Sequence, residues 1–302
     1  MRGAKKRVLD ADGMNRGFYS EDNRVNDLTG REWVFWTRSV ITKPYPPNRQ
    51  HSLRSRHGGQ KPPDLCADLL RVFTKQGQRV LDPFMGVGGT LIGASLCGRK
   101  AVGIEVNPRW IAIYKDVCVR EGLAEQETVA ADARDALESM SDRTFDCVLT
   151  DVPYWKMDTA SRSRGTFKRA DGKARPVRAS KLSAFQQSEY GSKAEWLASM
   201  GEIFARATAL LCPSAYLLSF IGDMYRDNQY HCLSAELAGV LSRIPGLVWK
   251  ADLVWYDVSK KLHLYGYQYS YIPSMIHQNV LVFRKEIPGR QTPAGKPPER
   301  EV

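Results

Sequence analysis

Val80-Leu81-Asp82-Pro83-Phe84-Met85-Gly86-Val87-Gly88-Gly89-Thr90 is the stretch that decides the fold. A short apolar run ends in an acid, and a glycine-rich turn then opens an amphipathic segment. Glycines at such a turn let the backbone pass close to a bound nucleotide, and Thr90 begins the helix that follows. A second apolar run, Ala101-Val102-Gly103-Ile104-Glu105, ends in a carboxylate placed to accept hydrogen bonds from both hydroxyls of a ribose, with Asn107 just beyond it. Glu105 stands 19 positions after Gly86, a spacing shared with nicotinamide-binding folds. Asp82 argues against that class, because a carboxylate ahead of the turn repels a pyrophosphate but accepts from an ammonium group. Val129-Ala130-Ala131-Asp132 adds an acid at a third strand end, suited to the amino group of an adenine.

Outward from this block, short apolar runs alternate with helical patterns. That alternation predicts an α/β fold: a mostly parallel sheet of seven strands, closed by a C-terminal antiparallel hairpin, with helices on both faces. The expected strands are 79–82, 101–105, 128–131, 145–150, 215–221, 247–256 and 277–284. The expected helices are 62–74, 90–97, 108–121, 194–211 and 232–243. Residues 31–285 read as one domain carrying a basic inserted loop at 156–193. Residues 1–30 read as a flexible arm and 286–302 as a disordered tail.

The 302-residue chain holds 44 lysines and arginines against 33 acids, a formal net charge of +11. Such an excess draws a polyanionic partner. No apolar run reaches the ~18 residues a membrane span needs, and no apolar core follows the basic start, so a cytoplasmic location without a membrane partner is expected. The six cysteines stand singly and the five histidines share no ligand spacing, so no metal is expected.

The apolar run Phe145–Thr150 leads into Asp151-Val152-Pro153-Tyr154-Trp155, at a strand's carboxyl end, where ligands bind in open α/β sheets. This set suits chemistry at an aryl amine. The nitrogen lone pair of such an amine is delocalised into its ring, and it attacks poorly until acceptors hold its protons. The Asp151 carboxylate and the Val152 carbonyl supply two acceptors. Pro153 shapes the turn, Tyr154 offers a face on which an extruded base stacks, and Trp155 adds a wall.

The glycine block resembles the amino-methyltransferases acting on adenine N6 or cytosine N4 of DNA, whose cofactor motif runs Asp-Pro-Phe-x-Gly-x-Gly-Thr-Thr. Gly89 stands here where the first threonine is common, and Val152 replaces the proline of the family's Asp-Pro-Pro-Tyr. Upstream, His57-Gly58-Gly59-Gln60-Lys61-Pro62 is similar to the motif preceding the cofactor strand. Downstream, Tyr269–Pro273 and His277–Lys285 are similar to the closing hairpin. The likeness covers roughly 31–155 and 247–285. It implies a Rossmann-like methyltransferase fold and S-adenosylmethionine as cofactor. Lys61 and Pro62 would flank the methionine end, and Asp82, Pro83, Phe84, Gly86, Gly88, Thr90, Glu105, Asn107 and Asp132 would complete the pocket. Asp151 to Trp155 would act on a base flipped out of double-stranded DNA, adenine favoured over cytosine, and a restriction endonuclease is the associated partner. Within the basic loop, Arg162, Arg164, Lys168, Arg169, Lys173 and Arg175 are the expected DNA contacts, with Phe167 filling the space an extruded base leaves. Arg49, Arg54 and Arg56 form the alternative surface.

Two readings compete. Guanine-N2 methyltransferases of tRNA share the glycine turn and an Asp-Pro-Pro-Tyr motif, but they typically bring an N-terminal RNA-binding domain that residues 1–60 are too short to supply. A Rossmann-like DNA-binding protein without catalysis is the other, motivated by Gly89 and Val152.

Overall fold

The computed structural model describes residues 4–9, 14–155, 190–258, 260, 271 and 273–286. The central strands are β4 (Arg79–Asp82), β5 (Lys100–Glu105), β6 (Glu127–Ala130), β7 (Phe145–Asp151), β8 (Leu211–Ile221), β11 (Leu247–Tyr256) and β12 (His277–Lys285). An edge strand, β3 (Val40–Ile41), makes eight, one more than the sequence pattern implied. It pairs with β11 through only two residues, too few to show a period of two. The order is β3-β11-β12-β8-β7-β4-β5-β6. From β8 to β6 all pairs are parallel, while β12 runs antiparallel to both β8 and β11.

Helices cover both faces, which is why the inner strands read as continuous apolar runs. α3 (Pro63–Phe73), α4 (Gly89–Leu96) and α5 (Pro108–Glu121) bury Leu65, Leu69, Leu91, Ile113 and Tyr114 on one side. α6 (Ala133–Ser139), α7 (Lys193–Ala209) and α8 (Leu233–Leu241) bury Leu137, Trp196, Phe204 and Leu237 on the other. β4 lies where the order reverses, with β5 on one flank and β7 on the other. Their carboxyl ends open into the crevice where such sheets bind ligands.

The expected N-terminal arm instead carries a hairpin, β1 (Lys5–Leu9) with β2 (Asn15–Ser20), and a short helix, α1 (Gly30–Trp36). Thr29 and Glu32 form a reciprocal capping box there. Asn26 donates to the Val72 carbonyl at 2.6 Å and fastens the segment to α3. The capping box is local and the Asn26 tie spans 46 positions, but both are polar, so no hydrophobic period announces them. A second hairpin, β9 (Met224–Arg226) with β10 (Gln229–His231), leaves the carboxyl end of β8. Asp227 and Asn228, both at positive φ, make its turn. A short helix, α2 (His51–Arg54), leads towards Lys61.

Candidate functional site

Two recesses meet at the carboxyl ends of β4, β5 and β7. The larger, about 260 Å³, is lined by Pro83, Phe84, Gly86, Glu105, Asn107, Asp132, Val152 and Pro153, among others. The smaller, about 40 Å³, is lined by Lys61, Asp82, Gly89 and Thr90. His57, Phe84, Gly86 and Asp151 border both, so they form one cleft. Its size and its mixture of apolar walls with a few acids suit a nucleoside-sized ligand.

Glu105 accepts from the Gly86 amide at 3.0 Å and from the Asn107 amide at 2.8 Å. Burial raises its pKa, and these amides oppose the shift. The carboxylate is thus fixed by backbone yet keeps lone pairs for the cleft. Asp82 is buried, accepting from the Thr150 hydroxyl at 2.6 Å and the Phe84 amide at 3.1 Å. Burial pushes it up to about 6. Asp132 and Asn107 occupy strand ends as expected, and each also caps a helix, accepting from the Arg134 and Arg109 amides.

Backbone geometry explains two glycines. Gly88 is the left-handed N-cap of α4 at φ 75°, and a Cβ there would lie 2.2 Å from the Tyr114 ring. It shapes the turn without lining either recess. Gly89 lies so close to segment 57–62 that a Cβ would sit 3.0 Å from the Lys61 carbonyl oxygen. The departure from threonine therefore accommodates a close approach of Lys61. Pro62 caps α3 and, like Gly88, lines neither recess.

At the end of β7, Asp151 Oδ2 is paired with the buried ammonium of Lys61. Oδ1 is buried and completes no well-aligned hydrogen bond among the described residues. The Tyr154 hydroxyl faces the same carboxylate, and burial with that negative charge raises the phenol well above its ordinary value. Burial raises Asp151, while Lys61 opposes it. Val152 and Pro153 line the larger recess. Pro153 offers its carbonyl to the indole nitrogen of Trp196 at 2.7 Å, so α7 holds the turn.

Tyr154 and Trp155 line neither recess. Tyr154 is half-buried beside Lys61, whose ammonium stands 5.9 Å from its ring centre. Trp155 does not form the expected wall. It is buried in the core beneath α7 and α8, its ring edge-on to His231 at 5.4 Å. The expected DNA contacts Arg162, Arg164, Lys168, Arg169, Lys173 and Arg175 lie outside the described residues. The alternative surface fails at its centre. Arg54 is buried and donates to the carbonyls of Asn48, Arg49 and Lys61.

Two polar cleft residues, His57 and Tyr190, were not singled out from the sequence. His57, read in the sequence only as part of the motif before Lys61, borders both recesses against Trp110 at 5.0 Å. Burial, aided by Lys61, pushes its pKa down to about 4, so it is neutral at pH 7. Its place in the motif before Lys61 was the one signal that could have found it. Tyr190 also lines the cleft, with its hydroxyl 3.1 Å from Ser199 Oγ. Among the described residues no cluster could hold a metal ion. Cys66 and Cys147 are buried with raised pKa values, Cys66 to about 12, and neither faces the cleft as a thiolate.

A wider cleft of about 920 Å³ lies at the opposite end, where β5 begins, bordered by β1, β2 and α1. Four of its cations are answered locally: Arg16 by Glu32, Lys43 and Arg71 by Asp68, Arg99 by Asp27. None of the strand-end acids reaches it.

Residues 12–116 match a family model described as DNA methylase, a segment that holds the glycine turn and Glu105 but ends before Asp151. The chain is 36% identical over 102 residues to the type II methyltransferase M2.DpnII of Streptococcus pneumoniae, covering 33% of this chain and 35% of that one. It is 33% identical over 107 residues to a tRNA (guanine(10)-N2)-dimethyltransferase of Methanothermobacter thermautotrophicus, covering 35% of this chain and 31% of the other. The chain thus spans about a third of the length of these curated relatives. Among solved structures, TrmN from Thermus thermophilus superposes with a TM-score of 0.50 at 19% identity, over 78% of this chain and 52% of its own. The likeness to the amino-methyltransferases is borne out over residues 12–116, on a Rossmann-like methyltransferase fold.

Proposed function

We propose that the protein methylates the exocyclic amine of a base in DNA, adenine N6 being the favoured target. The observation that carries this reading is Asp151. It stands at the β7 end with one oxygen held by Lys61 and the other without a well-aligned partner, on the border of the cleft that also contains Asp82 and Glu105.

Glu105 and Asn107 are the groups suited to a ribose, Asp132 to an adenine amine, and Asp82 to the ammonium of the methionine moiety. When bound, S-adenosylmethionine supplies an electrophilic methyl on a sulfonium. The chain's part is positional and electrostatic. Asp151 Oδ1 and the Val152 carbonyl hold the protons of the target amine and turn its lone pair towards the methyl, and they stabilise the charge that develops on nitrogen. No cysteine or other covalent nucleophile is needed. This reading requires extrusion of the base from the duplex, because a stacked base cannot bring its amine to a strand end inside a crevice.

The match to a DNA methylase model and the type II relatives support DNA. A second reading, guanine N2 in tRNA, has its own support in the three tRNA dimethyltransferase relatives. Mass spectrometry of nucleosides from DNA and from tRNA incubated with enzyme and cofactor decides between them. N6-methyladenine or N4-methylcytosine in DNA supports the proposal, and N2-methylguanine in tRNA replaces it. Cofactor binding without methylation of either polymer overturns both.

A further inference from the structure

We propose that Lys61 is a positioning residue for amine methylation: its ammonium grips one oxygen of Asp151 and so reserves the other, ionised, for the amine of the base. The inference rests on the role assigned to Asp151 above. It differs from the place the family resemblance implied for Lys61, at the methionine end of the cofactor.

The ammonium is built in. Lys61 is 7% exposed and ion-paired to Asp151 Oδ2. Its ammonium stands 5.9 Å from the ring centre of Tyr154 and 5.4 Å from that of Phe220, and aromatic faces hold a cation in place. Its backbone is held as firmly. The Lys61 carbonyl accepts from the buried Arg54 at 3.2 Å, and Gly89 leaves room for that carbonyl against the start of α4. A lysine free to swing towards a ligand would not need this bracing.

The chemistry of the pair follows from burial. A carboxyl withdrawn from water favours its neutral form, in which a proton on Oδ1 would remove the acceptor that the amine needs. Four groups face Asp151 electrostatically: Lys61 and Lys260 favour the carboxylate, Asp82 opposes it, and the Tyr154 hydroxyl bonds towards it. Of the two lysines only Lys61 makes the ion pair. With Oδ2 engaged, the remaining acceptor is Oδ1, and it is the oxygen without a well-aligned partner.

The test compares the full-length wild type with Lys61→Met, similar in volume but uncharged, and with Lys61→Arg. Single-turnover methyl transfer is followed from about pH 5 to 9 at saturating cofactor, on the polymer the nucleoside assay identifies. In Lys61→Met the acid limb should move up by about 1–3 pH units, with the rate recovering at high pH. Lys61→Arg should restore the wild-type limb, and calorimetry should show unchanged cofactor affinity in both. An equal loss at every pH, or a loss of cofactor affinity, overturns the proposal, the latter by placing the ammonium on the cofactor. A substrate-free check is carbon-13 NMR titration of the Asp151 carboxyl. A midpoint raised in Lys61→Met supports the pair, and an unmoved one overturns it, even if the wild type methylates neither DNA nor tRNA and the functional reading fails on its own.

Discussion

The carboxyl ends of β4 and β7 each present an aspartate, buried at Asp82 and half-buried at Asp151, and their surroundings treat the same group in opposite ways. Asp82 is held by neutral donors, the Thr150 hydroxyl and the Phe84 amide, and burial leaves it at about 6. Asp151 is held by a cation, with one oxygen left over. Neutral donors suit a carboxylate that awaits a charged ligand, since an ammonium arriving at Asp82 supplies the missing positive charge. A cation in place suits one that must accept from an uncharged amine. Under the proposed function, the difference separates a cofactor-binding acid from a reaction-directing acid within one crevice.

The most severe test removes the reaction-directing member. Asp151→Ala should cost about 2.7–4 kcal/mol of barrier, a rate loss of roughly 100-fold to 1000-fold, while calorimetry finds cofactor affinity nearly intact. Near-normal turnover would end the assignment. The next variant breaks the cofactor side alone. Glu105→Ala removes the partner of two backbone amides together with the proposed ribose acceptor. Cofactor affinity should fall by about 1–3 kcal/mol, and unchanged affinity would show that the ribose does not lie at the β5 end.

The basic segment 156–193 sharpens the contrast from the polymer side. Replacing Arg162, Arg164, Lys168 and Arg169 together with alanine should weaken nucleic-acid binding and flatten its log–log salt dependence by about 0.9 for each phosphate that is no longer neutralised. Cofactor affinity should be preserved. A wild-type slope would move the polymer surface elsewhere.

Asp82 predicts a pH effect with two signs. Only its ionised form attracts an ammonium, so cofactor affinity should fall about tenfold per pH unit below about 6. The free protein behaves oppositely. A folded-state pKa raised above the unfolded value stabilises most below about 4, and this contribution is lost as pH rises through about 6. Asp82→Asn should abolish both trends. Isothermal titration across pH, with denaturant melts of the free protein, checks them. A cofactor affinity flat from pH 5 to 8, about the window set by that pKa, would detach Asp82 from the ammonium.

The two aspartates and Glu105 were legible in the sequence because each closes an apolar run, and parallel strands buried on both faces write such runs plainly. The same rule located β4, β5, β7 and β8 within a few residues, and the β-branched and aromatic runs of the antiparallel pair placed β11 and β12. Less was legible where the determinants are contacts between distant residues. β3 is two residues long, the β1–β2 hairpin is polar, and the Lys61–Asp151 pair joins positions 90 apart. His57 looked ordinary because its role depends on the packing of Trp110 and Gly86 around it. Trp155 misled for a related reason: position after a strand end fixes where a residue starts, but not which way its side chain turns.

Trp155 also supplies the gentlest test of where the β7 end stops being a reaction site. Its indole is 8% exposed, packs with the core under α7 and α8, and meets His231 edge-on. A ring so placed contributes to folding and lines neither recess of the cleft. Trp155→Phe keeps an aromatic ring but removes part of the buried volume, and it should lower stability by about 1 kcal/mol, within the range for modest core truncations. Methyl transfer at saturating substrate should be close to wild type, because Asp151, Val152 and the Trp196 clamp on Pro153 are untouched. Chemical denaturation and single-turnover rates measured on the same preparation separate the two outcomes. A variant that melts like the wild type but transfers methyl slowly would return Trp155 to the pocket wall and extend the reaction-directing half of the crevice by one residue.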